Sequence, residues 1–574
     1  MHSTLLLFLG ALSSLELSPS PAFLTVQSAE ESPLELLNHK ALQVTVQRLA
    51  NEFPELITVL PVGNSRAGRK IDALRLAAGT GNPSILVVAN LEGPLAYTSS
   101  IVLEEVRALA SAYGQDEQIT KLLDSTSFYF VPRANPDAAE ARFESPLMEM
   151  SASGHAIDND RDGRMGEDSP SDVNGDGFVT WMRVPDPEGE WVSDQTDERI
   201  LVKAEAEHGE QGKWKLMREA GDPDADEQAG EDPEFDAVVN KNFPARWQEH
   251  SADGGLYATD EPEARALIEF VMAHKDISLV VTYGAQDNLV KAPKGIDDDA
   301  EATKRVPKKG VYESDAKLLS QLSKEHARIT DSKARGDEED GGSFQLWCYE
   351  HRGLLTLNSA VWSPSLDEEK KDEEDEGEDK DEEKAKEEDA ERKPSDNAKL
   401  LASLESLEEE FERFLDWKSF EHPTLGTVEI GGFAPYAKVE PPVATLTGLA
   451  DKEGEFLASL GEWLPRLEIA EFTTKDLGGG LLQVEATIVN NSRLPLVTRS
   501  AERNRAFTSV EIAITAPRGA KFLGGKERQF LRQLDALGGR AEYSWLITNV
   551  KGSIQLSVRS DRAGKATAAP TEVK

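Results

Sequence analysis

The 574-residue sequence is poor in cysteine and in basic residues, and each shortage excludes a class of protein. Cys348 is the single cysteine, so an internal disulfide framework and a multi-cysteine zinc site are both excluded, and we interpret it as a small buried hydrophobe. Acidic residues outnumber basic ones by 105 to 63, which gives a formal net charge of -42. Because little basic surface remains to neutralise phosphates, the composition argues against nucleic acid and anionic membranes as partners.

Long apolar runs are also scarce. Residues 5–12 form the one uninterrupted apolar segment near the N-terminus, and they are far fewer than the roughly 20 residues that a membrane span requires. Small residues follow at positions 26–29. This pattern predicts a signal peptide over residues 1–29 and an exported protein, either secreted, periplasmic or at the cell surface. A buried N-terminal helix is the alternative, because no Lys or Arg precedes the apolar run.

The order of periodic segments predicts two kinds of domain. Helical and strand patterns alternate from about residue 34 to residue 417, which predicts an α/β domain over residues 30–432 with a mixed sheet flanked by helices. A connector over residues 433–465 follows. Residues 466–574 contain segments that alternate with period two, which predicts an antiparallel β-sandwich.

Two polar segments interrupt the predicted α/β domain. Residues 155–236 are rich in Asp and Gly and are interpreted as an insertion. Residues 367–393 begin Asp-Glu-Glu-Lys-Lys-Asp-Glu-Glu-Asp-Glu. A tract of this composition cannot bury a core, so we expect a disordered acidic loop.

Five segments, taken in order, resemble the zinc metallocarboxypeptidase family, the carboxypeptidase A-like peptidases. They are residues 63–71 (Gly-Asn-Ser-Arg-Ala-Gly-Arg-Lys-Ile), 131–137 (Val-Pro-Arg-Ala-Asn-Pro-Asp), 239–244 (Val-Asn-Lys-Asn-Phe-Pro), 353–362 (Gly-Leu-Leu-Thr-Leu-Asn-Ser-Ala-Val-Trp) and 422–432 (His-Pro-Thr-Leu-Gly-Thr-Val-Glu-Ile-Gly-Gly). The last resembles a subgroup with a C-terminal β domain. The resemblance implies a carboxypeptidase-like fold and places this chain as a degenerate member.

The residues that the family uses for zinc chemistry are replaced at the matching positions. The resemblance aligns the first two zinc ligands with Glu92 and Leu95, the third with Gly284, and the general base with Ala360. Catalytic zinc requires three protein ligands, an open position and a base that takes a proton from the bound water. Leu, Gly and Ala supply none of these, so the sequence predicts a protein without zinc.

The histidines give a test that does not depend on this alignment. None of the nine histidines is followed by Glu three residues later, and the sequence has no His-Glu-x-x-His. His155 and His250 have an Asp at that spacing, but both lie in polar, Asp/Gly-rich surroundings without a preceding buried strand. Both are interpreted as solvated loop histidines. These observations support a pseudo-peptidase.

A remnant of the substrate pocket is also implied by the resemblance. The family grips the substrate's terminal carboxylate with an Asn-Arg pair, which here reads Asn240 and Lys241. Lysine keeps the charge but loses bidentate contact with a carboxylate. Arg142 is a second candidate anion contact, with a surface arginine as its alternative.

Two acidic loops have the Asp-x-Asp/Asn-x-Asp-Gly spacing of calcium-binding loops, in which carboxylates at alternate positions converge on one hard cation. Residues 222–227 are a third copy that has lost its glycine, and a solvated acidic turn is the alternative reading of each loop. The candidate calcium ligands are Asp158, Asp160, Asp162, Glu167 and Asp168 in the first loop, and Asp172, Asn174 and Asp176 in the second.

Three functions follow from these patterns. The first is an exported, non-catalytic carboxypeptidase-like protein that binds a peptide or protein partner. The second is an active metallocarboxypeptidase with unusual ligands such as Glu92 and Asp287, whose oxygen atoms favour Ca²⁺ or Mg²⁺ over Zn²⁺. The third is a structural envelope protein stabilised by calcium. The sequence favours the first.

Overall fold

A computed structural model describes residues 34–154, 156, 163–166, 168–205, 209–223, 228–230, 233–234, 236–298, 309–337, 341–365, 394–407, 411–507 and 509–573. The predicted signal segment 1–29 and the acidic tract 367–393 lie outside these ranges. So do four candidate calcium ligands, Asp158, Asp160, Asp162 and Glu167.

The described residues form the following helices and strands. The helices are α1 (His39–Glu52), α2 (Tyr97–Ala112), α3 (Glu117–Ser125), α4 (Pro136–Glu140), α5 (Pro262–Ala273), α6 (Glu313–Thr330), α7 (Phe344–Arg352), α8 (Asp396–Glu405), α9 (Leu446–Ser459) and α10 (Arg499–Asn504). The strands of the first half are β1 (Ile57–Asn64), β2 (Lys70–Leu76), β3 (Ser84–Ala89), β4 (Ser127–Val131), β5 (Trp181–Pro185), β6 (Trp191–Ser193), β7 (Leu201–Lys203), β8 (Trp214–Arg218), β9 (Ile277–Tyr283) and β10 (Leu355–Ser359). Those of the second half are β11 (Phe414–His422), β12 (Gly426–Phe433), β13 (Leu467–Asp476), β14 (Leu481–Asn490), β15 (Val510–Thr515), β16 (Lys521–Gly524), β17 (Arg528–Leu531), β18 (Gly539–Thr548), β19 (Gly552–Ser560), β20 (Gly564–Thr567) and β21 (Thr571–Val573).

A mixed sheet forms the centre of the α/β region, with strand order β1-β2-β4-β3-β9-β10. The pairs β4–β3, β3–β9 and β9–β10 are parallel, whereas β1 and β2 are antiparallel additions at one edge. All residues of β3 and β4 are buried, because helices cover both faces. One face packs against α1, α2, α6 and α9, and the other against α5 and α7.

A second, antiparallel sheet joins the insertion to the end of the α/β region. Its strand order is β11-β12-β5-β8-β6-β7. One face buries Met182 and Ile430. On the opposite face the Arg183 guanidinium lies 4.7 Å from the Trp214 ring and 4.6 Å from the Trp417 ring, at which distance cation–π attraction contributes.

The C-terminal region consists of two antiparallel sheets, β13-β14-β18-β16 and β17-β15-β19-β20, around a shared apolar core. The start of α10 fastens this region to α7. Thr498 Oγ1 donates to the Gly353 carbonyl at 2.8 Å, and Ser500 Oγ donates to the Tyr349 carbonyl at 2.7 Å.

The predicted fold class, an α/β carboxypeptidase-like sheet followed by antiparallel β structure, is confirmed. The second sheet was not predicted from the sequence. Residues 433–465, expected to be a connector, contain α9, which buries Leu446, Phe456 and Leu457 in the core of the central sheet.

Candidate functional site

The positions that the resemblance aligns with the zinc ligands and the base lie close together, in loops at the carboxyl ends of three neighbouring parallel strands. Glu92 and Leu95 follow β3, Gly284 follows β9, and Ala360 follows β10. These strands are adjacent in the sheet in the order β3-β9-β10, and ligands of open α/β sheets bind at this end. We call the four residues the remodelled site.

The loop after β3 is held by a short polar frame. Asn90 adopts a left-handed backbone conformation with φ 53°, and its side-chain amide donates to the Glu92 carbonyl at 2.7 Å. Thr98 Oγ1 accepts from the Asn90 N–H at 3.1 Å and donates to the Leu95 carbonyl at 2.7 Å. This frame turns the Leu95 side chain into the core, where it is only 6% exposed. A leucine packed in this way cannot bind a metal.

The Glu92 carboxyl group points across the strand ends rather than into solvent. Its Oε1 accepts a hydrogen bond from Asn240 Nδ2 at 2.6 Å, while Oε2 is buried and has no side-chain hydrogen-bond donor among the described residues. Burial raises the pKa of the Glu92 carboxyl above its ordinary value, and the hydrogen bond from Asn240 opposes that change.

Gly284 leaves the space that this carboxyl group occupies. A Cβ atom built on Gly284 would lie 2.7 Å from Glu92 Oε2, closer than non-bonded atoms of this kind approach. Even alanine at position 284 would therefore displace Glu92. The missing side chain at position 284 and the carboxyl group at position 92 complement each other.

Ala360 is likewise part of the scaffold. Its N–H donates to Asp287 Oδ2 at 3.3 Å, and its carbonyl accepts from the Tyr97 hydroxyl at 3.3 Å. Asp287 Oδ1 accepts from the N–H groups of Leu289 and Val290, so both carboxylate oxygens of Asp287 bind backbone. Burial nevertheless raises the pKa of Asp287 above its ordinary value.

These residues do not fit the zinc ion that the family uses. Leu95, Gly284 and Ala360 carry no ligand or base, and Glu92 is already hydrogen-bonded to Asn240. Across the described residues, no group of three or more His, Cys, Asp or Glu side chains is arranged to hold a metal ion. A tetrahedral site with three protein ligands cannot be assembled here.

The candidate carboxylate-binding pair is occupied by internal partners. Asn240 donates to Glu92 through Nδ2 and accepts from the Phe344 N–H through Oδ1 at 2.9 Å. The Lys241 ammonium forms an ion pair with Asp253. Although burial acts in the opposite direction, hydrogen bonds from Lys241 and Ser251 hold the pKa of Asp253 below its ordinary value.

Arg142, the second candidate anion contact, has a carboxylate partner within the chain. Its Nε and Nη2 atoms donate to the two oxygens of Glu440 at 2.7 and 2.9 Å, and its guanidinium lies 5.2 Å from the Tyr436 ring. Hydrogen bonding to Glu440 raises the pKa of Arg142. Such bidentate pairing satisfies the charge of the arginine internally.

The second acidic loop is a closed turn. Asp172 Oδ1 accepts from the N–H of Gly175 at 2.7 Å, and its Oδ2 accepts from the N–H of Gly177 at 2.9 Å. Asn174 Oδ1 accepts from the Asp176 N–H at 2.8 Å. Of the first loop, the structure describes Asp168, which is 3% exposed and accepts from the Gly230 N–H at 2.9 Å.

Sequence reasoning missed the contact between Glu92 and Asn240 and the pairing of Lys241 with Asp253. Asp253 lies 12 residues after Lys241 in a polar loop, and no periodic pattern relates the two. The available signal was one of size, since a glycine at position 284 leaves room for the longer side chain at position 92.

The fold and the position of the remodelled site define a carboxypeptidase-like α/β protein. A family model described as zinc carboxypeptidase matches residues 42–365, more than half of the chain, and a domain of unknown function matches residues 466–571. The chain therefore belongs to the zinc carboxypeptidase family.

Individual relatives are distant. The chain is 28% identical over 112 residues to carboxypeptidase D of Drosophila melanogaster, covering 19% of this chain and 8% of that protein. It is 29% identical over 92 residues to carboxypeptidase A2 of Mus musculus, covering 16% of this chain and 22% of that protein. The chain thus matches less than a quarter of the length of each of these relatives.

Solved structures are also distant, with low sequence identities and low TM-scores. Bovine thrombin-activatable fibrinolysis inhibitor in complex with tick carboxypeptidase inhibitor is 10% identical with a TM-score of 0.38, covering 74% of this chain and 96% of that chain. Carboxypeptidase A from Helicoverpa armigera is 15% identical with a TM-score of 0.36, covering 60% and 70%. Within the described part of the chain, no helix is long and apolar enough to cross a membrane.

Proposed function

We propose that this chain is a non-catalytic member of the zinc carboxypeptidase family that binds a peptide or protein partner at the carboxyl ends of β3, β9 and β10. The observation that carries the proposal is the Glu92 carboxyl group, which occupies the space in front of Gly284 and is held there by Asn240. A metal-bound water would need a metal held with an open coordination position and a base that takes its proton. Leu95 and Gly284 supply no metal ligand, and Ala360 supplies no base.

The alternative of an active enzyme with Glu92 and Asp287 as ligands is less consistent with the contacts. Asp287 would have to release the N–H groups of Leu289, Val290 and Ala360 before its oxygens could bind a cation. Each released donor would then be left without a partner, at a cost of about 1–3 kcal/mol where it is buried. The chain's own hydrogen bonds therefore favour a structural role for Asp287.

The expected partner does not depend on a free C-terminal carboxylate. Asn240 uses both ends of its amide within the protein, and Lys241 is paired with Asp253. Binding a terminal carboxylate would break these contacts. We therefore expect recognition of an extended peptide segment rather than of a chain terminus.

Hydrolysis assays test the catalytic half of this proposal. Purified protein is incubated with zinc chloride and then with hippuryl-phenylalanine and hippuryl-arginine, which represent apolar and basic carboxypeptidase substrates. We expect no hydrolysis above a zinc-only blank. Hydrolysis that follows the protein concentration and is abolished by a zinc chelator would contradict the proposal.

Peptide arrays test the binding half. A synthetic library is presented in two forms, with free and with amidated C-termini, to the wild-type protein and to Lys241→Met. We expect the same peptides to bind in both forms, with unchanged binding to the variant. Binding confined to free carboxylates, or no binding of any peptide, would contradict this half of the proposal.

We also propose that the protein is exported, on the basis of the apolar segment at residues 5–12. Mass spectrometry of protein isolated from its native source is expected to find a mature N-terminus near residue 30. Recovery of the intact N-terminus from a cytoplasmic fraction would contradict export.

A further inference from the structure

The insertion contains a buried carboxylate, Asp222, that has no hydrogen-bond partner among the residues that the structure describes. Asp222 is 7% exposed, and among the described residues neither of its two carboxylate oxygens has a hydrogen-bond partner. Buried carboxylates normally accept hydrogen bonds, pair with a cationic side chain or bind a metal ion, because an ionised group loses its hydration on burial. Within the described part of the chain, Asp222 neither accepts a hydrogen bond nor pairs with a cationic side chain.

The arginine nearest to Asp222 along β8 has other electrostatic partners. Arg218 lies four residues before Asp222, at the end of β8, and its guanidinium is 5.0 Å from the Trp181 ring. Its electrostatic partners are Glu149 and Glu219. Glu219 in turn accepts hydrogen bonds from Val173 and Thr180.

A second buried carboxylate lies at the same end of the insertion. Pro170 and Ala220 form an isolated antiparallel bridge, and the Ser171 N–H donates to the Glu219 carbonyl at 2.8 Å. In this register Asp168 precedes Pro170 by two residues and Asp222 follows Ala220 by two, so both acids lie beyond the same end of the bridge. Carboxylate oxygens contributed by both segments at this end of the bridge are ligands of the kind that a hard divalent cation takes.

We propose that Asp222 and Asp168 bind a calcium ion that ties together the two segments at the base of the insertion. Calcium takes oxygen ligands from carboxylates, backbone carbonyls and water in irregular arrangements, whereas zinc prefers nitrogen and sulfur. The described residues supply the two carboxylates, and Asp168 Oδ2 is positioned by the Gly230 N–H at 2.9 Å. The site is separate from the remodelled site and would stabilise the insertion without taking part in catalysis.

Calcium titration of the full-length protein tests this site. Protein stripped with EDTA is titrated with calcium chloride by calorimetry, and its thermal unfolding is followed with and without calcium. The Asp222→Asn variant keeps the size of the side chain but removes its charge. Two matched controls remove one charge elsewhere in the insertion: Glu188→Gln at an exposed position, and Asp172→Asn in the second acidic loop.

We expect Asp222→Asn to weaken calcium binding by at least about tenfold, or to remove one equivalent of bound calcium, and Glu188→Gln to change neither. Without calcium, Asp222→Asn should unfold at a higher temperature than the wild type, because it no longer buries an unpaired charge. With calcium this order should reverse. The proposal is overturned if the wild type binds no calcium, if Asp222→Asn binds it with unchanged affinity and stoichiometry, or if Asp172→Asn alone abolishes binding.

Discussion

The loop before β2 and the remodelled site lie in the same α/β domain and satisfy their polar groups in opposite ways. In the first, Asp137 accepts from Ser65 Oγ at 2.7 Å, from the Ala67 N–H at 2.8 Å and from Arg69 Nη1 at 2.7 Å. We call these four residues the Asp137 cluster. In the remodelled site the Glu92 carboxyl group accepts a side-chain hydrogen bond from Asn240 through one oxygen, and its other oxygen has no such side-chain partner among the described residues.

This difference distinguishes residues that stabilise the fold from positions that the resemblance aligns with catalytic residues. The Asp137 cluster fixes the path of the chain in two segments whose sequences resemble the family. Every charged group in this cluster has a partner. The remodelled site lies at the positions that the sequence resemblance aligns with the family's zinc ligands and base, and in the structure Glu92 fills the space beside Gly284. A family resemblance can therefore be strong in the scaffold and still give no support for the reaction.

The largest effect is expected from a substitution that breaks the Asp137 cluster. Asp137→Ala removes three hydrogen bonds and leaves Arg69 without its partner, so we expect a loss of about 3–4 kcal/mol in the free energy of unfolding. Urea denaturation measures the change. Asp137→Asn, which keeps an acceptor for Ser65, should lose less. Equal stability of all three proteins would contradict the structural role.

The pH dependence of Glu263, a neighbour of this cluster, should be nearly as large. Burial raises the pKa of Glu263 from 4.5 to about 7. The unfolded chain therefore releases this proton at lower pH than the folded protein, and stability falls as the pH rises from about 4.5 to about 7 and then levels off. The free energy of unfolding of Glu263→Gln, taken relative to that of the wild type, should therefore be about 3 kcal/mol higher at pH 8 than at pH 4.

Urea denaturation of wild type and variant across this pH range measures that difference. Glu269→Gln, on the same helix α5, is the matched control for removal of one carboxylate. A stability difference between Glu263→Gln and wild type that is the same at pH 4 and pH 8 would contradict the raised pKa.

A smaller effect probes the remodelled site itself. Gly284→Ala places a Cβ atom against Glu92 Oε2, and we expect a cost of about 1–3 kcal/mol from overpacking. In a Glu92→Ala background the same substitution should cost much less, since the colliding group is gone. A double-mutant cycle followed by urea denaturation measures this coupling. Additive effects of the two substitutions would contradict the complementary packing.

The smallest effect is expected at Lys241. The Lys241–Asp253 pair is partly exposed, so Lys241→Met should cost less than about 1 kcal/mol in unfolding experiments. Lys275→Met, at an exposed position, is the control. A loss of several kcal/mol specific to Lys241 would show that this pair contributes to the scaffold as strongly as the Asp137 cluster does.

Much of the fold could be predicted from periodicity. The alternation of helical and strand patterns up to residue 417 corresponds to the α/β region, and the period-two segments of residues 466–574 correspond to the antiparallel sheets from β13 onwards. The second sheet was missed because β5 and β8 are short and surrounded by Asp and Gly. Their side chains nevertheless alternate between the buried face that contains Met182 and the opposite face that contains Arg183 and Trp214. The burial of α9 depends on the tertiary contact with α2, which local sequence does not encode.

The candidate site was less accessible to sequence reasoning. Motif order located Glu92, Leu95, Gly284 and Ala360 at the ends of neighbouring strands, because strand ends follow from local patterns. The contact of Glu92 with Asn240 joins residues 148 positions apart, and the pairing of Arg142 with Glu440 joins residues 298 apart. Such contacts depend on the folded arrangement of the chain.

The most direct test of this account is the zinc content of the purified protein after equilibrium dialysis against zinc, measured by elemental mass spectrometry. The wild type is compared with a variant that restores the family's residues, Glu92→His, Leu95→Glu, Gly284→His and Ala360→Glu together. We predict no specifically bound zinc in the wild type and stoichiometric zinc in the restored variant. Stoichiometric zinc in the wild type, lost on Glu92→Ala, would contradict the central claim that this site no longer holds the metal.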